Sequence, residues 1–265
     1  MEKKALLTAI RAAIGAGKVI MDVYNDPKAD FQIERKADNS PLTIADRKAD
    51  AFIREALSST PYPLLSEEGR STAFEERRKW RELWIVDPLD GTKEFIKRNG
   101  EFTVNIAYVR DGSPEAGVIY IPVTEELYFA DIDEGAFKAT HVEAADSWDD
   151  LVAKADRLPF GGGHEGFVVV ASRSHMNADT EAYIEKVKKE KGNVTTVSKG
   201  SSLKLCLIAE GNADVYPRYA PTMEWDIAAG NAIVKAAGRG VYSMDDGKPL
   251  VYNKENLVNP WFISQ

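Results

Sequence analysis

The sequence predicts a mixed α/β (α+β) protein in two halves, and three observations carry that prediction. Apolar residues recur at helical spacing near the start of the chain. Several segments with strand patterning crowd the stretch up to about residue 130. Beyond residue 165, strand and helix patterns alternate.

Leu6, Ile10, Ala13, Ile14, Val19 and Val23 recur at helical spacing, so residues 2–24 form a helix, which Asn25-Asp26-Pro27 ends. Phe31 to Lys36 reads as a short strand, followed by a turn at Asp38-Asn39-Ser40-Pro41. A second helix runs from Thr43 to Leu57, with Thr43 as its N-cap. Leu64-Leu65 is a short buried strand leading into Ser66-Glu67-Glu68-Gly69. Leu83 to Val86 is another, and it runs straight into Asp87-Pro88-Leu89-Asp90-Gly91-Thr92. Thr103 to Val109, Gly117 to Ile121 and Glu126 to Ala130 read as antiparallel neighbours. Residues 141–165 are rich in acids and glycine and end in Gly161-Gly162-Gly163, which makes them the boundary between an N-terminal half, 1–150, and a C-terminal half, 160–265. The second half reads as strand 167–171, helices 178–189 and 201–210, strand 213–216 and helix 226–237. No internal repeat or low-complexity tract is visible.

The 265 residues are 44% hydrophobic, as expected of a globular chain, with a formal net charge of -8. That charge argues against general nucleic-acid binding, which needs a basic face. It also means that any phosphate site must recruit positive charge locally, from metal ions or a few placed Lys and Arg. Cys206 is the only cysteine, so no intramolecular disulfide forms; in the apolar run Leu203 to Ala209 it reads as a small core residue. The first twenty residues lack a signal-peptide layout, and no apolar stretch approaches the ~18 residues of a membrane span. The cytoplasm is the expected compartment.

The strongest chemical feature is Trp84-Ile85-Val86-Asp87-Pro88-Leu89-Asp90-Gly91-Thr92, where an apolar strand delivers two acids, three apart, into a turn. Magnesium prefers hard oxygen ligands, and two carboxylates with a backbone carbonyl between them can hold one or two such ions. Gly91 lets the backbone approach a phosphate closely, and free amides at a helix start there favour an anion. Glu67-Glu68 alone reads as a solvated loop; beside another strand ending in carboxylates it reads as a ligand source. Asp226 opens a helix with Ala228, Ala229 and Gly230 on one flank, so it is either a plain N-cap or a placed acid. Asp46 lies inside a helix, where a surface acid is the simpler reading. Together these acids suffice for metal-assisted phosphoryl hydrolysis.

Ser-Pro-Leu-Thr-Ile-Ala-Asp (40–46), Ser-Glu-Glu (66–68), Asp-Pro-Leu-Asp-Gly-Thr-Lys-Glu-Phe (87–95) and Glu-Trp-Asp-Ile-Ala-Ala-Gly (224–230) occur in this order. They resemble the lithium-sensitive, magnesium-dependent phosphatases of the inositol monophosphatase superfamily, and the resemblance spans nearly the whole chain. Lys93-Glu94-Phe95, Ser198 to Lys204, Ala213 to Arg218 and Asn259-Pro260-Trp261-Phe262 resemble its bacterial CysQ-type branch of 3′(2′),5′-bisphosphate nucleotidases. Such enzymes cleave 3′-phosphoadenosine 5′-phosphate to AMP and phosphate, clearing a by-product of sulfate assimilation.

The resemblance implies a layered αβαβα sandwich, with a large antiparallel sheet in the first half, a mixed sheet in the second, and the site between them. It implies that Glu67, Asp87 and the Leu89 carbonyl bind one Mg2+, that Asp87, Asp90 and Asp226 bind a second, and that a third sits loosely near Glu67. Thr92 paired with Asp46 would activate the attacking water, and the Gly91 and Thr92 amides would grip the scissile phosphate. His175, Ser201, Lys204, Arg218 and Asp226 would contact the nucleotide. On residue chemistry alone, His175 could be a surface loop residue, Lys204 could snorkel and Arg218 could be exposed. Many relatives have Gly where this chain has Ser66, a departure expected to matter little because the acids carry the ligands. Some relatives associate loosely with the inner membrane, though no basic amphipathic segment here requires it. Inhibition by Li+ is a further implication. The sequence sets no oligomeric state.

The nearest rival is the same chemistry on inositol phosphate or a sugar bisphosphate; Lys204, Arg218 and the Asn-Pro-Trp-Phe ending favour the nucleotide. A non-catalytic nucleotide sensor on this fold would be expected to have lost ligands, and Asp46, Glu67, Asp87, Asp90, Thr92 and Asp226 are all present.

Overall fold

The computed structural model describes residues 1–28, 31–35, 41–142, 147–160, 163–172 and 176–265. The chain begins with α1 (Lys3–Asn25), whose buried residues lie along one side as the apolar spacing predicts. Next come the short hairpin β1 (Glu34–Arg35) and β2 (Pro41–Leu42), then α2 (Ile44–Leu57), capped by Thr43. Among the described residues of the expected strand 31–36 only Glu34–Arg35 pairs, because both are exposed and offer no apolar face to a larger sheet, while Lys36 lies outside the described residues. The expected turn at 38–40 and the residues Gly161 and Gly162 lie outside the described residues.

A seven-stranded sheet follows: β3 (Leu64–Ser66), β4 (Glu82–Asp90), β5 (Thr103–Arg110), β6 (Ser113–Ile121), β7 (Glu126–Asp131), β8 (Gly135–Thr140) and β9 (Asp156–Leu158), in that spatial order. The β3–β4 pair is parallel and the rest are antiparallel, so the large sheet is not purely antiparallel. Short helices interrupt it: α3 (Phe74–Arg77), α4 (Thr92–Ile96) and α5 (Trp148–Lys154). The segment 141–165 is therefore more than a linker. It contains α5, whose Trp148 packs edge-on against Phe129 and Phe137, and the last strand of the sheet.

The remaining elements are β10 (Phe167–Ser172), α6 (Ala178–Lys191), β11 (Val194–Lys199), α7 (Leu203–Glu210), β12 (Tyr216–Arg218), α8 (Glu224–Ala236), β13 (Val241–Ser243) and β14 (Phe262–Ser264). The strand expected at 213–216 is shifted to 216–218, since its partner is β14; Val215 makes only an isolated bridge to Val169. β10 and β11 are parallel, while β12, β14 and β13 are antiparallel, so the second sheet region is mixed.

The layers stack as α1 and α2, the large sheet, α7 and α8, the second sheet region, and α6. Three apolar cores fill the gaps: one under α1 and α2, one around α7 and α8, and a small one of Val169, Ala171, Ile184, Val187 and Val215. The small flank of α8 has a packing reason. A Cβ on Gly230 would come 2.3 Å from Leu205 Cδ1, so α7 and α8 approach each other only because that position is glycine. This is how the end of β4 and the start of α8 come to face one cleft.

Candidate active site

Asp87 and Asp90 are three residues apart, and in a regular strand they would point to opposite faces. A bulge removes the conflict. Asp87 pairs with Asn105 and Asp90 with Thr103, so β4 spends one more residue than β5 between the two pairings. Both carboxylates therefore act in one cluster with Glu67 and Asp226. Glu67 follows β3, its amide donating to Val86 O at 3.1 Å. Asp226 sits in the first turn of α8, and its Oδ2 accepts from Met223 N at 2.8 Å. It is therefore not the N-cap, which is Met223, but the third residue of α8, whose carboxylate accepts from the cap's amide and also walls the cleft.

Each of the three aspartates is a stronger base than usual. Burial, then the charges of Glu67, Asp90 and Asp226, pushes Asp87 well up. Burial raises Asp90 against the opposing pull of Lys204, Ser202 and Asn105. Asp226 is pushed up to about 8, by burial first and then by Asp90 and Glu67. Against these carboxylates stand two buried cations, while Lys93, which also lines the cleft, is exposed. Lys204, only 6% exposed, lies over the Tyr216 ring and is lowered to about 8, chiefly by burial. Arg218, 8% exposed, donates from Nη2 to Pro221 O at 3.2 Å, while its buried Nε has no hydrogen-bond partner among the described residues.

This donor set fits hard divalent cations: carboxylate oxygens in excess of local positive charge, with the Leu89 carbonyl between two of them. A cation among them would reverse the upward shifts. Among the described residues no three acidic, histidine or cysteine side chains are drawn together tightly enough to make a ready ligand set. Each aspartate is instead engaged by protein donors: Asp87 Oδ1 by Leu89 N at 3.0 Å, Asp90 Oδ2 by Ser202 Oγ at 2.9 Å, and Asp226 by Met223 N.

Asp46 is not a surface acid. It is 2% exposed, and its Oδ2 accepts from Thr43 N at 2.7 Å and Thr43 Oγ1 at 2.5 Å. The capping box at the start of α2 thus fixes the carboxylate. Its Oδ1 accepts from Thr92 Oγ1 at 3.0 Å, while Leu89 O lies 3.3 Å from the same hydroxyl. Thr92 has one hydroxyl proton, and the nearer, charged acceptor holds it. Gly91, at φ +95, stands at the start of α4, and a Cβ there would lie 3.0 Å from Glu101 O.

The structure thus brings Glu67, Asp90, Gly91, Thr92, Ser201, Lys204, Arg218 and Asp226 to one cleft, with Asp87 and Leu89 buried behind it. His175 lies outside the described residues. Ser66 is 7% exposed and donates to Asp50 Oδ1 at 2.6 Å, tying the end of β3 to α2. Sequence reading missed Glu101, Thr103, Asn105 and Ser202. Glu101 Oε2 accepts from Gly200 N at 2.8 Å and holds the loop before α7 against the turn that carries Gly91. The available signal was the pair of polar residues, Thr103 and Asn105, at alternate positions of an otherwise apolar strand.

Residues 2–261 match the inositol monophosphatase family. The chain is 45% identical to the 3′(2′),5′-bisphosphate nucleotidase CysQ of Escherichia coli (strain K12), over 94% of this chain and 95% of that one. It is 43% identical to the CysQ protein of Buchnera aphidicola, over 97% and 91%. The crystal structure of CysQ from Bacteroides thetaiotaomicron superposes with a TM-score of 0.93 at 54% identity, covering 100% of this chain and 98% of that one. This chain belongs to the inositol monophosphatase family, in its CysQ branch.

Proposed function

We propose that the chain is a magnesium-dependent 3′(2′),5′-bisphosphate nucleotidase that converts 3′-phosphoadenosine 5′-phosphate to AMP and phosphate. Enzymes of the inositol monophosphatase family are metal-dependent. One observation carries the reading: the carboxylates Glu67, Asp87, Asp90 and Asp226 crowd a cleft whose enclosed cations, among the described residues, are Lys204 and Arg218, Lys93 being exposed at its edge. That imbalance suits a site completed by divalent ions and an anionic substrate together. The identity to CysQ proteins supports the nucleotide over inositol phosphate or a sugar bisphosphate.

Glu67, Asp87 and the Leu89 carbonyl would hold one Mg2+, Asp87, Asp90 and Asp226 a second, with a third near Glu67. When bound, these ions supply polarisation of the phosphate and of the attacking water. The chain's own residues do the rest. Thr92 Oγ1, its proton committed to Asp46, offers a lone pair to a water proton and so aims that water's oxygen at phosphorus. The Gly91 and Thr92 amides orient the scissile phosphate. The water oxygen bonds to phosphorus, the bond to the ribose 3′-oxygen breaks, and one of the water's two protons ends on that oxygen, which leaves as the 3′-hydroxyl of AMP with no net proton gained or lost. Ser201, Lys204, Arg218 and His175 would hold the rest of the nucleotide, with Arg218 suited to a second phosphate by its fork geometry.

In this reading the halves 1–150 and 160–265 contribute most metal ligands and most nucleotide contacts respectively. The compartment is the cytoplasm; no helix of the described residues is long and apolar enough to cross a membrane. The test is phosphate release with and without magnesium from 3′-phosphoadenosine 5′-phosphate, inositol 1-phosphate and fructose 1,6-bisphosphate. Magnesium-dependent release chiefly from the nucleotide is expected. Release chiefly from another substrate would remove the roles given to Lys204 and Arg218.

A further inference from the structure

Behind the cleft a line of hydrogen bonds runs from Ser201 to Asp90, and its direction can be worked out from donor and acceptor chemistry. Thr103 Oγ1 donates to Asn105 Oδ1 at 2.9 Å, because an amide oxygen only accepts. The Thr103 proton being committed, the contact between Thr103 Oγ1 and Ser201 Oγ at 3.0 Å has Ser201 as donor. Asn105 Nδ2 donates to Ser202 Oγ at 2.8 Å and, at 3.3 Å, to Asp90 Oδ2. Ser202 Oγ then has one proton and two acceptors, Asp90 Oδ2 at 2.9 Å and the Asp226 carbonyl at 3.0 Å. The carboxylate is the stronger acceptor and takes it. Every link points the same way, so each polarises the next.

Three features show that this line is built rather than incidental. Thr103, Asn105 and Ser202 are 0%, 1% and 3% exposed, so no water competes for their bonds. Ser201 holds a left-handed backbone, φ +43, which is uncommon for a residue other than glycine. Both donors to the Asp90 carboxylate fall on Oδ2. That fixes the rotation of the group and turns Oδ1 to the cleft that Asp90 lines.

We infer that Thr103, Asn105 and Ser202 are positioning residues that aim one oxygen of Asp90 at a divalent cation and link the nucleotide-facing Ser201 to that ligand. The inference rests on the proposed role of Asp90 as a metal ligand. Partners that orient a metal's carboxylates ordinarily matter by about 10–100-fold in metal affinity. The link also makes the two ligands cooperative, since fixing Ser201 stiffens the chain that fixes Asp90.

The test uses Thr103→Val, close in shape but without the hydroxyl, beside Thr103→Ser, which keeps it, and Asp90→Asn. Mn2+ binding is measured by calorimetry on the substrate-free protein, then repeated with AMP present, and melting is followed throughout. Thr103→Val is expected to weaken Mn2+ binding by about tenfold and to abolish any gain in Mn2+ affinity brought by AMP, with Thr103→Ser within about twofold of wild type. A lowered melting temperature in Thr103→Val with unchanged Mn2+ affinity would make the line merely structural and overturn the inference. Should Thr103→Val not fold, the same comparison is made on Ser202→Ala, with the same two outcomes. Unchanged Mn2+ affinity in Asp90→Asn would instead remove the metal role of Asp90 on which the inference stands. Loss in Asp90→Asn without loss in Thr103→Val would overturn the positioning role alone.

Discussion

Replacing Asp46 by Asn separates the two jobs of this residue. Its Oδ2 accepts from the Thr43 amide, which can only donate, so the one oxygen of an asparagine must stay there. The amide nitrogen then takes the place of Oδ1 and becomes a donor towards Thr92 Oγ1, now 3.0 Å from an acceptor. The Thr92 hydroxyl then accepts from that nitrogen with one of its two lone pairs and swings its proton to Leu89 O, 3.3 Å away, so the hydroxyl is rotated from its native setting and has no carboxylate to draw off its proton as water is activated. A positioned base contributes roughly 10²–10⁴-fold, so turnover should fall by that factor, equivalent to about 3–5 kcal/mol at about 1.4 kcal/mol per decade. The α2 cap keeps its oxygen and loses only its charge, which costs about 1 kcal/mol and lowers the melting temperature by about 2–4 °C. Turnover is read by phosphate release at saturating substrate and magnesium, stability by calorimetric melting. Turnover within about threefold of wild type, in a protein that melts normally, would refute the role of the Asp46–Thr92 pair.

Metal-free protein should lose stability as pH rises towards 8. Asp226 has a folded pKa of about 8 against 3.8, and Asp87 is raised as well; stability from such groups is present below the lower value and lost as pH climbs through the folded one. Melting in a chelator at pH 5.5 and pH 8, with Mg2+ then added at pH 8, checks this: equal melting at the two pH values would contradict it. Lys204→Met should raise the KM for the nucleotide by at least about tenfold with a smaller effect on kcat, since a charged contact to phosphate is worth about 1.5–3 kcal/mol; steady-state rates decide it. Gly230→Ala should cost about 1–3 kcal/mol, because its methyl meets Leu205 Cδ1 at 2.3 Å, and should be visible as a lower melting temperature. Li+ should inhibit at magnesium concentrations that support activity, in a titration of Li+ at fixed Mg2+.

The parts of the fold that were legible in the sequence are those with local causes. Helix α1 has a long apolar period, α2 has Thr43 and Asp46 at its start, and β5 to β7 carry apolar strand patterns. Elements whose cause lies elsewhere in the chain were not legible. β9 is three residues long, two of them exposed, and exists because β8 offers an edge. β12 starts at Tyr216 because β14, near the chain's end, sets its register.

The site divides along the same line. Asp87, Asp90 and Gly91 are legible because one short string contains the strand, both acids and the turn. That two acids three apart serve one cluster is not legible, because it depends on a bulge defined only by the pairing of β4 with β5. The same holds for Asp46: its sequence context describes a helix cap, and its burial and its bond to Thr92 come from packing α2 against the end of β4. Asn105 is the sharpest case. Within β5 it is a polar residue in an apolar strand, which costs stability unless partnered, and that cost is itself the evidence of a partner. What the sequence cannot supply is the partner's name, since Ser202 lies 97 residues away. A buried polar residue in a strand that faces a turn rich in carboxylates is therefore a reason to expect a hydrogen bond to that turn, and here the bond reaches both Asp90 and the loop that carries Ser201.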